Sequence, residues 1–592
     1  MGVLSRVQVL GTELLGFGRQ FWRRFSKAER STVAVLIVVI AVAGVWCLLL
    51  GGGESRIQPV RGGSIIEGVV GQPQVLNPLY VQANLVDRDI SRLIFSGLIK
   101  MGRGREFLPD LASSWEVFDQ GKTYIFHLRE GIKWHDGGSF DASDIVFTVG
   151  VVQSEAYPGV LKSSWQGIRV TAVNPTTVQF SLPSPSTFFL SQATVGILPA
   201  HLFAHLPVSE IGKSDNNSKP VGTGPFKVAS VLASKDSVSL VANPDYYGEV
   251  PFIEKVVFYF YDTEKALLNA IKSGAVTGAG TSSLSGLGGA DLANLKVYTY
   301  QLPQYKAVYV NQLGGNQALA DKAVRQALAL STNKEKIIRD VTDGNAVPVD
   351  SPILPGFWGH LPEIKKYSFD FIAARDVLHK AGWKDADGDG FLEKGNVRLS
   401  FSLSFKDDKA NRAIAEILSS DWEAVGAEVT VVPIEPTELF DRVIRPRDYD
   451  LLIFGQDLGT DSDPYVYWHS SQTTDPGLAL SVMYDKDIDN NLEMARLAGN
   501  LSRAISYYHR FQNAFADLVP AILLYQPNFI YLVDGKVKGV TQEINLSTIT
   551  DRFINIADWY IKFRKTASGE EASPDIIDSG GTLEIEDSPT AG

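Results

Sequence analysis

Cysteine is nearly absent: Cys47 is the one cysteine among 592 residues. No disulfide can form within the chain, thiol chemistry is excluded from its polar remainder, and a large fold must be held by its core. Excess positive charge is lacking too, since 55 Lys and Arg face 67 Asp and Glu, a formal net charge of −12. That balance disfavours a nucleic-acid partner, which needs a basic face. The chain has no G-x-S-x-G elbow, no H-E-x-x-H and no Walker loop, so neither a catalytic set nor a cofactor motif is offered. No fixed repeat runs through it. Long apolar runs are missing with one exception.

That exception is Val33 to Leu50, VAVLIVVIAVAGVWCLLL, which has no charge and no proline. With Ser31 and Thr32 it reaches about 20 residues, the length of a helix crossing a bilayer. Before it stand Arg6, Arg19, Arg23, Arg24, Lys27 and Arg30, against Glu13 and Glu29. Basic flanks stay cytoplasmic, so the rest of the chain is expected outside the cell membrane, periplasmic or extracellular. Ala41-Val42-Ala43 has the form of a signal-peptide cleavage site, but the apolar stretch runs on past it, and bulky Trp46 precedes Cys47 where a lipoprotein needs a small residue. The expected organisation is a basic segment (1–30), a single transmembrane helix (31–50), a flexible Gly-rich spacer (51–63), a folded body, and a disordered acidic tail (566–592).

The body is long enough for more than one core, and its 45% apolar and 10% aromatic residues are those of a globular protein. Strand and helix patterns alternate. Lys122 to Trp134 alternates like a strand and then turns. Asp321 to Val341 has helical spacing. Asn411 to Ile434 reads as a helix, a glycine stop at Gly426, then a strand. Leu501 to Tyr525 reads as a helix ending before Pro520, followed by an apolar strand. This is a mixed α/β body.

Several segments, in this order, carry a resemblance: QVLNPLY (Gln74 to Tyr80), LPDLASSWEV (Leu108 to Val117), TYIFHLREGIKWHDGGSFDASDIVFT (Thr123 to Thr148), ILPAHLF (Ile197 to Phe203), PVGTGPFKV (Pro220 to Val228), NPDYYG (Asn243 to Gly248), AVRQALAL (Ala323 to Leu330) and DPYVYWHSS (Asp463 to Ser471). Together they resemble the extracellular solute-binding proteins of family 5, the peptide-binding class serving ABC importers. SGAVTG (Ser273 to Gly278) departs from the acidic pair usual there. The resemblance implies a two-lobed, periplasmic-binding-protein-like fold of type II with three subdomains. Lobe one would span 64–304 with a return over 528–565, and lobe two 305–527. A monomer is implied that closes on a di- or oligopeptide and delivers it to permease subunits in the membrane. The same scaffold admits an oligosaccharide or a nickel chelate, and a surface hydrolase is a further reading that the missing nucleophile and base oppose.

The resemblance also points to a loop. In peptide-binding relatives an aspartate just upstream of an Asp/Glu-Pro pair meets the ligand's α-amino group, and Asp461, three residues before Pro464, fits best. Asp457 and Asp463 are its rivals. Water-excluded carboxylates pair strongly with ammonium groups; the alternative is aspartates capping turns. Gly455 and Gln456 offer backbone groups for strand addition by an extended peptide. Tyr465, Tyr467 and Trp468 are cleft walls or core. No residue stands out for the ligand's carboxylate; Arg445 and Arg447 read as solvated.

Other chemistry-bearing pairs have plainer readings. His201 and His205 at i, i+4 lack a third metal ligand. Asp385, Asp387, Asp389 and Gly390 copy the start of a calcium loop, but Asn396 stands where the closing Glu belongs. Ser331 and Lys334 have S-x-x-K spacing by coincidence. His135 reads as a hydrogen-bonded turn histidine, and Gly222 and Gly224 in GTGPF as residues supplying unusual backbone angles.

Overall fold

A computed structural model of the chain describes residues 56–566, apart from 187–188, 232–236, 460–462 and 499, and before them residues 26, 31, 32, 35, 36, 38–40 and 42. In it the strand Ala521–Asp534 runs 14 residues and changes neighbours halfway. Its first part pairs antiparallel with Gln304–Val310, from Ala521 opposite Tyr309 to Tyr525 opposite Lys306. Its second part pairs with Leu295–Gln301, from Asn528 opposite Gln301 to Asp534 opposite Leu295, and with Gly278–Thr281. Pro527, which has no N–H to give a ladder, stands between the two registers. Leu302 and Pro303 make the neighbouring passage in the other direction.

On one side of this crossing lie Ser64–Val70, Lys255–Tyr261, Ser237–Ala242 and Phe226–Val231 in that order. On the other lie Leu451–Asp457, Ser400–Lys406 and Glu428–Ile434, with Ala346–Pro348 added to the long strand. Parallel pairs carry helices between them, as the connection requires. A separate four-stranded antiparallel sheet holds Ala112–Phe118, Thr123–Leu128, Thr177–Ser181 and Arg169–Asn174. Along Thr123–Leu128 burial alternates strictly, which is the TYIFHL pattern made physical. The buried apolar residues follow the same division. One cluster gathers Ile65, Phe126, Trp134 and Phe258 with Tyr531 and Trp559. Others gather Val308, Leu403, Trp422 and Leu524, and Tyr309, Trp468 and Phe515.

Local chemistry sets the boundaries. Asp408 caps the helix Lys409–Glu423 by accepting from Asn411 N, and Gly426 at φ +92° turns the chain into Glu428–Ile434. The helix Leu501–Leu518 is capped by Asn500 and stops at Val519, which stands at φ +49° and so outside the right-handed region that is disfavoured before proline. The single helix expected over Asp321 to Val341 is two, Lys322–Leu330 and Lys334–Val341. Ser331 Oγ bonds back to Ala327 O, and the Asn333 side chain caps the second helix at Lys336 N.

Of the terminal expectations, only the spacer meets a described element. Within the expected spacer, Arg56–Val60 is a strand, paired antiparallel with Lys562–Thr566 in a unit of its own. Residues 51–55 and the expected acidic tail from residue 567 onward lie outside the described residues. So does much of the apolar run. Its described members are helical, Val35, Leu36, Val38, Val39, Ile40 and Val42 are 55–63% exposed, and among the described residues no helix is long and apolar enough to cross a membrane.

Candidate functional site

The strand Leu451–Asp457 leads into the loop singled out by sequence. One edge is fully paired, with Gln304 opposite Asp457, Tyr305 opposite Gln456 and Lys306 opposite Gly455. On the other edge Ser400–Lys406 pairs only as far as Phe405 opposite Ile453. Phe454 to Asp457 therefore have no strand on that side among the described residues, and Gly455 and Asp457 are exposed. Gln456 points inward instead, its Oε1 accepting from Tyr309 Oη at 3.0 Å. Beyond the strand, Gly459 N donates to Asp457 Oδ1 at 2.9 Å, and Gly459 lines a cavity of about 920 Å³. The other walls come from across the crossing and include Arg88, Arg92, Lys100, Asp110, Tyr246 and Asp551. In that wall Asp110 accepts from Tyr247 Oη at 2.6 Å, and burial raises its carboxyl above the usual range against the pull of Lys100.

The predicted residues divide. Asp461 lies outside the described residues. Asp463 is buried and committed: its Oδ2 receives Arg496 Nε at 2.6 Å and Nη2 at 2.5 Å, and its Oδ1 receives Tyr465 N at 3.1 Å. Tyr465 lies between Arg496, whose guanidinium carbon is 3.7 Å from the ring centre, and the His469 ring at 4.1 Å. Tyr467 Oη donates to Asp457 O at 3.2 Å. Trp468 is core, edge-on to Phe515 at 4.7 Å and stacked near Tyr309 at 5.9 Å. Arg445 is exposed and pairs with Asp441, while Arg447, read as solvated, instead donates to the carbonyls of Gly477, Ala479 and Ile444.

Sequence reasoning passed over Lys306. It is the one charge inside the apolar strand Gln304–Val310, and that interruption was the available signal. Its Nζ lies 3.9 Å from where a Cβ on Gly455 would stand and donates to Asn411 Oδ1 at 2.8 Å. Burial lowers its pKa, partly offset by Asp408.

The remaining motifs are structural. His135 accepts from Gly222 N at Nδ1 (3.2 Å) and faces Gly224 O with Nε2 (3.0 Å), which assigns the proton to Nε2. Burial lowers its pKa to about 4. Gly222 and Gly224 do not take left-handed angles. They are glycines because a Cβ would come within 2.0 Å and 2.6 Å of Ile94 O. His201 Nε2 meets Asp136 Oδ2 at 2.8 Å. Lys334 Nζ pairs with Asp350 at 2.7 Å, far from a nucleophile–base role with Ser331. In the acidic turn, Asp389 pairs with Arg398 at 2.7 Å, and Asp385 and Asp387 converge with Glu393 instead.

The family comparison is direct. Residues 106–477 match the model for bacterial extracellular solute-binding proteins, family 5 middle region. The oligopeptide-binding protein AppA of Bacillus subtilis is 27% identical over 84% of this chain and 94% of its own. Its solved structure with a nonapeptide superposes with a TM-score of 0.64 at 26% identity, covering 85% of this chain and 99% of that one. The dipeptide-binding protein of Escherichia coli is 27% identical over 79% of this chain and 90% of its own. NikZ of Campylobacter jejuni, solved with Ni(L-His), gives a TM-score of 0.64 at 26% identity, covering 84% and 99%. The α/β body, its crossing strand and this family match together establish the chain as a member of the bacterial extracellular solute-binding proteins of family 5.

Proposed function

We propose that this chain is a membrane-tethered receptor that binds di- or oligopeptides outside the cytoplasm and hands them to an ABC permease. The observation carrying this reading is the strand edge from Phe454 to Asp457, which has no strand partner among the described residues and runs into a loop at the rim of the 920 Å³ cavity. Asp457 O is taken by Tyr467 Oη, and the N–H and C=O groups left without a strand partner could take an extended peptide as an added strand, giving affinity with little dependence on side-chain sequence. In this reading Asp461 or Asp457 meets the α-amino group, and Lys306 meets the carboxylate. Residues 64–304 with the return after 528 form one lobe and 305–527 the other, so a ligand touching both favours the closed state. The apolar run 33–50 supplies the tether, and the monomer acts alone on the permease.

Mass spectrometry of solute retained by the purified full chain tests the assignment. A population of short peptides is the expected result. A single metal chelate or sugar would move the chain to another branch of its family. Scattering should show compaction on adding a peptide mixture, and an unchanged radius at saturating peptide overturns the closure.

A further inference from the structure

Along the paired side of the strand Leu451–Asp457, Asn311 N donates to Asp450 O at 2.9 Å and Leu458 N to Pro303 O at 2.8 Å. Bonded pairs alternate in an antiparallel ladder, so Leu452, Phe454 and Gln456 also give their main-chain groups to Gln304–Val310. Gly455 and Asp457, one residue out of phase, turn theirs to the side without a strand partner, where Asp457 O already accepts from Tyr467 Oη. Side chains alternate as well. Leu452 and Phe454 pack with Tyr309 in one cluster, while Ile453 packs with Val308 in another. Opposed residues of neighbouring strands share a face. A ligand residue lying beside Phe454 therefore projects its side chain on the Phe454 face, and the next one projects toward Gly455 and Lys306.

Phe440 stands on the Phe454 face. The two rings meet edge-on at 87°, with centres 6.4 Å apart, yet Phe440 is 56% exposed. It belongs to a single π-helical turn, Leu439–Ile444, in which Arg445 N donates to Phe440 O at 2.9 Å. Such turns recur at functional sites. Leu439, Val443 and Ile444 of the turn are buried in the cluster that holds Leu452, so the exposed ring is mounted on a fixed base. The charges around it are spent on each other, Arg442 on Glu438 and Arg445 on Asp441. One exposed aromatic ring means little by itself. Here a second ring, half-buried Phe454, backs it at the first edge residue past the pairing with Ser400–Lys406.

We infer that Phe440 and Phe454 form a specificity subsite, and that the chain selects peptides with a large apolar side chain, aromatic above all, at the one position beside Phe454. The incoming ring covers the exposed part of Phe440 and adds a further aromatic contact. This inference rests on the peptide reading proposed above and names the class of peptide within it.

Calorimetric titration of the full chain with trialanine, Phe-Ala-Ala, Ala-Phe-Ala and Ala-Ala-Phe tests the subsite. One of the three aromatic peptides should bind about tenfold tighter than trialanine, the scale of burying one aromatic side chain, and the other two should gain less. In Phe440→Ala the ratio for that peptide should fall to about threefold or below, and Phe440→Trp should retain it. Each ratio compares two peptides on the same protein, so a general loss of affinity or stability cancels. A wild-type ratio near one at every position, an equal gain at all three, or a ratio untouched by Phe440→Ala overturns the subsite and leaves the peptide reading standing. If neither these four nor a mixed peptide digest binds, the peptide reading falls and takes the subsite with it.

Discussion

Arg552 and Glu67 stand 485 residues apart in the chain and meet, both fully buried, with Nη2 3.0 Å from Oε1. The same guanidinium holds Asp89, and Tyr531 Oη closes the group on Glu67 at 2.8 Å. Burial raises the Glu67 pKa against the pull of Arg552. One cation thus compensates two buried carboxylates. Replacing it with methionine leaves both unpaired, a loss of about 3–5 kcal/mol on the scale of broken buried ion pairs. Urea unfolding of Arg552→Met against wild type measures it, and Arg552→Lys, a point charge without the planar fork, should recover only part.

His135 makes stability depend on pH. In the folded chain burial holds its pKa near 4, below the ordinary 6.5, so folded His135 stays neutral where the unfolded chain takes up a proton. Its contribution is therefore complete above about pH 6.5 and is lost as pH falls toward 4, by about 3 kcal/mol at ~1.4 kcal/mol per unit. Unfolding free energies measured across that window should slope less in His135→Asn than in wild type.

Asp463 and Asp461 should separate cleanly. Asp463→Asn weakens a buried charge-assisted pair with Arg496 and should cost about 2 kcal/mol of stability while peptide affinity changes little. Asp461→Asn should leave the melting temperature alone and weaken peptides with a free amino terminus about tenfold. Calorimetric titration with free and N-acetylated peptides reads both; an N-acetylated peptide that binds Asp461→Asn and wild type with the same discrimination contradicts the role.

Lys306→Met should weaken peptides with a free carboxylate and leave C-terminally amidated ones unchanged, because only the former lose a charge partner. A loss shared equally by both peptides would assign Lys306 to packing with Asn411.

Gly222→Ala should be destabilising although no special backbone angle is involved. The new methyl would sit 2.0 Å from a main-chain oxygen, Ile94 O, which has little freedom to retreat. Chemical denaturation should show a loss of about 2 kcal/mol, the scale of overpacking. Gly137→Ala, with open space around its Cβ but φ +92°, isolates the backbone-angle effect.

The local elements were legible because their causes are local. Alternation in TYIFHL, the Gly426 stop and the break at Pro520 act within a few residues of themselves. The break between Leu330 and Lys334 was missed because side-chain bonds from Ser331 and Asn333 override an unbroken helical pattern. The family resemblance was legible because the order of many short motifs carries it, although each motif alone is weak.

By itself the sequence determined the α/β class, the family, the single apolar run and the loop to watch, since composition, periodicity and motif order are properties of the chain alone. Only the tertiary structure decided which aspartate was already spent on Arg496, that Trp468 is core, and that Lys306 faces Gly455. Those are outcomes of pairing between residues tens to hundreds apart. A side chain's chemistry depends on what burial removes and what a distant segment supplies, and neither is written in its neighbours.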